Sequence, residues 1–147
     1  MPGFDELEVK QILIMVQAWA TQQPEIDAVA LVGSWARKEA HQDSDIDLMI
    51  LTLNPKMYFQ DLDWFNDIPW HNLNLEITGY DDRTYGVVRS RHLCFQQGQQ
   101  IEFSFGFPGW ANINPIDRGT LMVVRSGIEI VYDRHQLLKS LVEKIER

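Results

Sequence analysis

The 147-residue chain contains a single cysteine, Cys94. One cysteine excludes an intramolecular disulfide and a zinc site built from several cysteines. The chain also lacks any apolar run near the roughly 18 residues that a membrane-spanning helix needs, and its first residues lack the basic segment of a secretory signal. These absences favour a cytoplasmic protein that does not enter the membrane.

Positive charge is scarce as well. The chain has 13 Lys and Arg against 21 Asp and Glu, which gives a net charge of −8. Proteins that bind duplex nucleic acid usually carry a basic surface, so the charge balance argues against such a partner. The sequence has no internal repeat and no Ser/Gly linker, and its length matches one ordinary domain. We expect residues 1–147 to form a single domain.

Hydrophobic residues make up 45% of the chain, enough for a real core. The spacing of these residues predicts alternating helices and strands. A helix is expected at about 5–22, capped by Asp5 with Glu8 three residues after it. Further helices are expected at 35–40, from 55 onward and after 133. Strands are expected at 27–32, 45–52, 73–78, 85–95, 99–107, 121–124 and 128–132, with a long loop at 108–119. This order predicts an α/β (α+β) fold, a mixed β-sheet with helices packed on one face.

Two aspartates alternate with apolar residues in the predicted strand 45–52. Asp45 and Asp47 are two positions apart, so both carboxylates project from the same face of a strand. Like charges this close raise each other's pKa unless the face is solvated or a cation neutralises them. Because Mg²⁺ binds carboxylate oxygens together with substrate phosphates, the pair predicts a metal site in a surface cleft.

Gly33 and Ser34 follow a predicted strand and introduce a short helix. Glycine lets the backbone approach a ligand closely, and the start of a helix presents unpaired N–H groups. Arg37 and Lys38 add cationic side chains one turn later. The combination predicts a phosphate-binding segment beside the aspartates, which is the equipment that transfer of a nucleotidyl group requires.

A third carboxylate is expected to complete such a site, and Glu102 is the candidate. It lies on the polar face of the second arm of a hairpin predicted around residues 97–98. A two- or four-residue loop places Glu102 opposite Leu93, with Arg91 nearby, whereas an odd loop places His92 alongside. The sequence leaves both registers open.

The segment from Gly33 to Leu48 resembles the signature of the polymerase-beta-like nucleotidyltransferase superfamily. Gly-Ser is followed, after ten residues, by Asp-Ile-Asp-Leu, with Ala36-Arg37 after the serine and Ser44 before the first aspartate. The chain is most similar to small bacterial members, the minimal and antibiotic-type nucleotidyltransferases. Many members have glycine where this chain has Lys38. The element order extends the resemblance to about residues 5–106.

The resemblance implies the palm fold of this superfamily, a mixed sheet flanked by helices. It also implies two Mg²⁺ ions and transfer of a nucleoside monophosphate from a nucleoside triphosphate. The implied site residues fall into two groups: the metal ligands Asp45, Asp47 and Glu102, and the nucleotide contacts Gly33, Ser34, Arg37 and Ser44.

The expected enzyme is a Mg²⁺-dependent nucleotidyltransferase of the bacterial cytoplasm, with ATP as the donor of an adenylyl group. The expected acceptor is a hydroxyl of a small molecule, such as an aminoglycoside- or lincosamide-like antibiotic, or of a protein. Antibiotic-modifying members usually carry a helical acceptor domain, and this chain has one final helix, so we expect a homodimer or another partner to complete the site. The alternative is a binding protein, an antitoxin that pairs with a small helical toxin.

Other candidates are less defined by their pattern. Arg89, Arg91 and Trp110 are possible substrate contacts, and the sequence does not decide between this role and a structural one. The four histidines show no spacing typical of metal ligands, so each is expected to be structural or exposed: His41, His71, His92 and His135.

Overall fold

The computed structural model describes residues 3–41 and 43–146. Its strands are β1 (Ile26–Val32), β2 (Ile46–Thr52), β3 (Ile77–Tyr85), β4 (Val88–Phe95), β5 (Gln100–Gly106) and β6 (Glu129–Asp133). Its helices are α1 (Glu6–Thr21), α2 (Gly33–Arg37), α3 (Pro55–Gln60), α4 (Arg118–Ser126) and α5 (Leu137–Glu146). Short 3₁₀ turns lie at Trp64–Asp67, Trp70–Leu73 and Pro108–Ala111. None of the described helices is long and apolar enough to cross a membrane.

The six strands form one mixed sheet in the order β3-β4-β5-β2-β1-β6. Neighbouring strands are antiparallel except β2 and β5, which run parallel. The predicted mixed α+β fold is therefore confirmed. The expectation that residues 1–147 form a single domain stays a prediction.

The first helix begins where the sequence places it. The Asp5 carboxylate accepts the Glu8 N–H at 2.8 Å, and the Glu8 carboxylate accepts the Asp5 N–H at 3.0 Å. This reciprocal pair satisfies two of the N–H groups that the start of a helix leaves unpaired. The prediction of a capped helix over about 5–22 is confirmed by α1.

Helices pack on both faces of the sheet, and the expectation of a single helical face is wrong. On β1, Val29 and Leu31 join the core cluster that contains the apolar side of α1. The alternating residues Ala28 and Ala30 point the other way and meet the buried residues of α4 and α5. Small alanines let helices approach this second face closely, so a second, smaller core forms there.

The segment 121–124 was expected to be a strand, and this expectation is wrong because it lies inside α4. The Asp117 carboxylate accepts the Thr120 N–H at 3.0 Å and caps the helix. Thr120 and Val124 are both buried and are four residues apart, which is the spacing of one helical face. A short apolar run that ends in two valines is therefore part of a capped amphipathic helix and not a strand.

Candidate active site

The candidate site is a row of polar side chains that crosses three neighbouring strands on the second face of the sheet. Asp47 on β2 is paired with Glu102 on β5, and Glu102 is paired with His92 on β4. The register places all three side chains on one face, so the sequence-predicted Asp47 and Glu102 do come together.

The hairpin between β4 and β5 has the odd loop. The Phe95 N–H donates to the Gln99 carbonyl at 2.9 Å, which leaves a three-residue turn between them. His92 therefore faces Glu102, and the register that placed Leu93 opposite Glu102 is the wrong one. One residue of slip moves every side chain of a strand to the other face, so Arg91 also leaves the site.

Two aspartates at this site have raised pKa values, and burial is the main cause. Burial, the Glu102 carboxylate and the Asp45 carboxylate together raise the pKa of Asp47 to about 7, against a partial lowering by Arg37. Asp45 lies one residue before β2, and burial raises the pKa of its carboxyl too. The charge of Arg83 opposes the rise, as does that of His92 when its ring is doubly protonated. Three acidic groups thus share one small region at a cost in free energy.

Gly33 is fitted against the Asp47 carboxylate. A Cβ at Gly33 would lie 3.0 Å from Asp47 Cγ and closer still to its Oδ2, and the Gly33 φ is +75°. Both the space and the backbone conformation therefore require glycine at this position. The phosphate-binding segment predicted from the sequence does lie directly beside the aspartate pair.

The rest of the predicted segment forms α2. Val32 is its N-cap and makes no side-chain capping bond, so Ser34 lies inside the first turn of the helix. Arg37 is exposed and lies 3.6 Å from Glu39. Lys38 ends the helix with φ 60° and ψ 33°, the left-handed conformation in which glycine is preferred. The family's usual glycine at this position thus matches the backbone seen here.

Ser44 is buried and takes part in the turn that precedes β2. Its hydroxyl accepts the His41 N–H at 2.9 Å, and its own N–H donates to the His41 carbonyl at 2.9 Å. Ser44 therefore holds the chain that delivers Asp45 to the site. Its expected contact with the nucleotide stays a prediction.

Three candidates left open by the sequence lie outside this row. Arg91 is fully buried on the opposite face, where it binds Asp82 through Nε at 2.8 Å and Nη2 at 3.0 Å. Arg89 lies over the ring of Phe59, 4.4 Å from its centroid. Trp110 is half-buried against the second core, and its carbonyl accepts the Thr120 hydroxyl at 2.7 Å. Within the described residues, all three have structural contacts.

Sequence reasoning missed two residues near the site. Arg83 on β3 is exposed and close enough to lower the pKa of Asp45, and only the position of β3 reveals it. Gly127, after α4, touches α2: a Cβ there would lie 2.8 Å from the Ala36 carbonyl oxygen. A cavity of about 330 Å³ separates these two helices and is lined by Gly33 and Arg37 on one side and Gly127 on the other.

The acidic side chains of the row suit a divalent cation. Carboxylate oxygens are the ligands that Mg²⁺ prefers, and a cation would offset the repulsion that raises the pKa of Asp47. Across residues 3–41 and 43–146, no three acidic, histidine or cysteine side chains form a ready-made metal cluster. Mg²⁺ in nucleotide sites commonly takes only one or two carboxylates, with phosphate and water oxygens as the other ligands. The chemistry of the residues therefore fits the ion.

Comparison with known proteins gives one family. Residues 15–86 match the model described as "Polymerase beta, Nucleotidyltransferase". The match contains the Gly33–Asp47 segment and ends before Glu102. No curated protein matches the chain.

Solved structures provide weaker likenesses. The chain is 14% identical to the Cid1 protein bound to the UTP analog UMPNPP, with a TM-score of 0.46, covering 71% of this chain and 32% of that chain. It is 17% identical to a cytoplasmic RNA terminal U-transferase, with a TM-score of 0.46, covering 83% and 34%. It is 20% identical to the polymerase core of TRAMP, an RNA surveillance complex, with a TM-score of 0.48, covering 83% and 36%.

The chain spans about a third of the length of these structures, and likenesses this weak carry no argument about activity or partners. The family match is independent of them, and it falls on the segment where glycine, helix and aspartates meet. Residues 15–86 therefore match the polymerase beta nucleotidyltransferase family, and the resemblance expected from the Gly33–Asp47 segment is confirmed.

Proposed function

We propose that this protein transfers a nucleoside monophosphate, preferably AMP, from a nucleoside triphosphate to a hydroxyl of a small molecule or protein. The observation that carries the proposal is the contact of Gly33 with the Asp47 carboxylate, which puts the segment of the family signature within reach of the acidic row. Phosphate oxygens on that segment would therefore approach the same cations as the carboxylates.

Asp45, Asp47 and Glu102 are the proposed ligands of the divalent cations, with Mg²⁺ as the proposed ion. Bound Mg²⁺ would supply charge neutralisation of the triphosphate and activation of the acceptor hydroxyl. Glu102 is also proposed to help deprotonate that hydroxyl, because it is the proposed ligand on β5 and lies between Asp47 and His92 in the row.

Gly33, Ser34 and Arg37 are the proposed contacts of the donor's outer phosphates. The N-terminus of α2 carries no side-chain cap, which leaves its backbone N–H groups available to an anion. Arg37 is exposed and close enough to lower the pKa of Asp47. A phosphate bound beside the acidic row would therefore also lie near the Arg37 guanidinium. Ser44 is proposed as a further nucleotide contact, and a homodimer or toxin partner remains a prediction.

The test measures transfer of label from each of four α-labelled nucleoside triphosphates, with Mg²⁺, to a panel of hydroxylated small molecules and to the protein itself. We expect transfer from ATP, and we expect Asp45→Asn and Asp47→Asn each to lower the rate by about 10³-fold or more with the fold intact by circular dichroism. Asp67→Asn is the matched control, because Asp67 is an exposed aspartate far from the row in sequence.

Two results would overturn the proposal. One is transfer at the wild-type rate by either aspartate variant. The other is failure of the wild type to bind any of the four triphosphates in the presence of Mg²⁺, measured by calorimetry with analogues that cannot be cleaved.

A further inference from the structure

His92 is a buried histidine whose contacts lie in the acidic row. Its side chain comes from β4, and the residue is only 7% exposed. Its Nε2 lies 2.7 Å from Glu102 Oε2. The register places Glu102 on one side of it and Asp81, on β3, on the other. A buried histidine in contact with a proposed cation ligand is a candidate for a role in the site.

The second ring nitrogen of His92 indicates which of the two nitrogens is the hydrogen-bond donor. His92 Nδ1 is buried and has no hydrogen-bond partner among the residues that the structure describes. A buried N–H donor without a partner is rarer in proteins than an under-satisfied acceptor. The proton therefore belongs on Nε2, where it can be donated to Glu102, and the bare lone pair belongs on Nδ1.

We propose that His92 is a positioning residue that fixes the Glu102 carboxylate by donating its Nε2–H to Oε2. The inference rests on the proposed function, because it assigns His92 to the geometry of one proposed cation ligand. With Oε2 held by His92, the other oxygen of Glu102 is left for the space it shares with Asp47.

The physical reason for such a residue is the freedom of a glutamate side chain. Glu102 has several rotatable bonds and stands beside Asp47, whose negative charge would push it toward solvent. A buried donor on the far side opposes that displacement. Groups that hold a metal ligand in this way typically change the affinity for the ion by about 10- to 100-fold when they are removed.

Other charged groups around His92 do not replace this contact. Arg83 and Asp81 on β3 bind each other at 2.8 Å and are exposed, so their charges are shared with each other and with water. Asp45 is close enough for a Coulomb interaction with a doubly protonated His92 ring, but not with the neutral ring that donates only from Nε2. With Nε2 committed to Glu102 and Nδ1 buried, neither ring nitrogen is free to bind a cation while the contact holds.

The test compares two amide variants that differ in reach. In His92→Gln, the side-chain amide nitrogen can take the place of Nε2, whereas in His92→Asn it is one methylene short. The control is His71→Gln, the same change at an exposed histidine. The readout is the affinity for Mn²⁺, measured by electron paramagnetic resonance with an ATP analogue that cannot be cleaved, so that no turnover is needed.

We expect His92→Asn to weaken Mn²⁺ binding by about 10-fold or more, and His92→Gln and His71→Gln to stay close to wild type. Wild-type affinity in His92→Asn would overturn the proposal. Equal loss in the Gln and Asn variants would overturn it too, because the imidazole itself and not its N–H contact would then be required.

A second measurement uses the metal-free protein and separates this inference from the proposed function. Heteronuclear NMR of the histidine rings should show His92 protonated at Nε2 and bare at Nδ1. The opposite tautomer would overturn the positioning role. If the wild type binds no Mn²⁺ while the Nε2 tautomer is present, the proposed metal-dependent transfer fails and the contact between His92 and Glu102 stands.

Discussion

Two clusters of charged side chains lie on opposite faces of the sheet, and their charges are balanced in different ways. On one face, Arg91 meets a single carboxylate, Asp82, through two nitrogen atoms. Its third nitrogen, Nη1, donates to the Tyr58 and Asp61 carbonyls at 3.2 and 3.0 Å. Each polar atom in this cluster finds a partner of opposite charge or polarity, as buried charge requires.

On the other face, Asp45, Asp47 and Glu102 gather like charges around one histidine. Burial and mutual repulsion raise the pKa of Asp47 to about 7, so this cluster costs free energy in the protein alone. Pairing of charge therefore distinguishes a structural charge cluster from one that binds a ligand. A saturated cluster, in which each charge has a partner, stabilises the fold. An unsaturated cluster, in which like charges lack partners of opposite sign, indicates a ligand of opposite charge.

Arg91→Ala should produce the largest loss of stability, because it removes the centre of the saturated cluster. The guanidinium is also enclosed by the rings of Phe59, Phe65 and Tyr80, so its loss leaves a cavity as well as an unpaired Asp82. We expect the free energy of unfolding to fall by about 3–4 kcal/mol, measured by urea denaturation with tryptophan fluorescence.

Arg89→Ala is the matched control for that measurement. Arg89 is the neighbouring arginine of β4, is exposed and lies over the face of Phe59 in a cation–π geometry. Its loss should cost about 0.5–1 kcal/mol. Equal losses in the two variants would show that the saturated cluster contributes no special stability.

Gly127→Ala should have the next largest effect, because the added methyl group would push against the backbone of α2, which begins beside Asp47. The added Cβ would lie 2.8 Å from the Ala36 carbonyl oxygen, and the Gly127 φ of +139° also disfavours a side chain. We expect a loss of about 2 kcal/mol, together with a fall in transfer rate as α2 is displaced from Asp47.

Gly109→Ala is the control, since a Cβ there would meet no atom within 4 Å. The prediction is contradicted if Gly127→Ala transfers at the wild-type rate while its stability falls, because α2 would then tolerate the displacement without consequence for the site.

How much of this arrangement the sequence predicts depends on how local its causes are. The capping box of Asp5 and Glu8 and the spacing from Gly33 to Asp47 act within about fifteen residues, and the structure has them as predicted. Periodicity and capping suffice for such features because each depends on neighbours along the chain. The fold class follows from the order of these local elements.

The features that the sequence could not decide depend on register and on distant contacts. A single residue in the loop between β4 and β5 determines whether His92 or Leu93 faces Glu102, and both loops are physically acceptable. The helix that replaces the expected strand at 121–124 depends on its packing against the second core. Propensity alone favours a strand there, and tertiary contacts override it.

Asp47→Asn should stabilise the metal-free protein, which is the opposite of the effect expected for Arg91→Ala. The pKa of Asp47 is raised in the folded protein to about 7 from an ordinary 3.8, so the folded state binds the extra proton between these values. Wild-type stability should therefore fall as the pH rises from about 4 to 7, and remain low above it. We expect Asp47→Asn to be more stable at pH 8 by about 2 kcal/mol, with little difference at pH 4.

Thermal unfolding in the presence of a chelator, across that pH range, makes the measurement. Asp67→Asn is the control, because it removes the same charge from an exposed position outside the acidic row. If Asp47→Asn were less stable than the wild type at pH 8, the acidic row would be a stabilising network, and the contrast between the two faces would be lost.

Lys38→Gly should give the smallest effect, and it tests the backbone that joins the phosphate-binding segment to the aspartates. Lys38 has φ 60° and ψ 33°, a conformation that costs a side-chain-bearing residue about 1–2 kcal/mol relative to its favoured regions. Glycine relieves that cost but adds freedom to the unfolded chain, so we expect a net gain of about 1 kcal/mol. Gln136→Gly, at a second left-handed position with φ 57°, should gain a similar amount far from the site in sequence. A gain at Gln136 with a loss at Lys38 would show that the Lys38 side chain itself supports the segment, and that the departure from the family's glycine has a purpose beyond the turn.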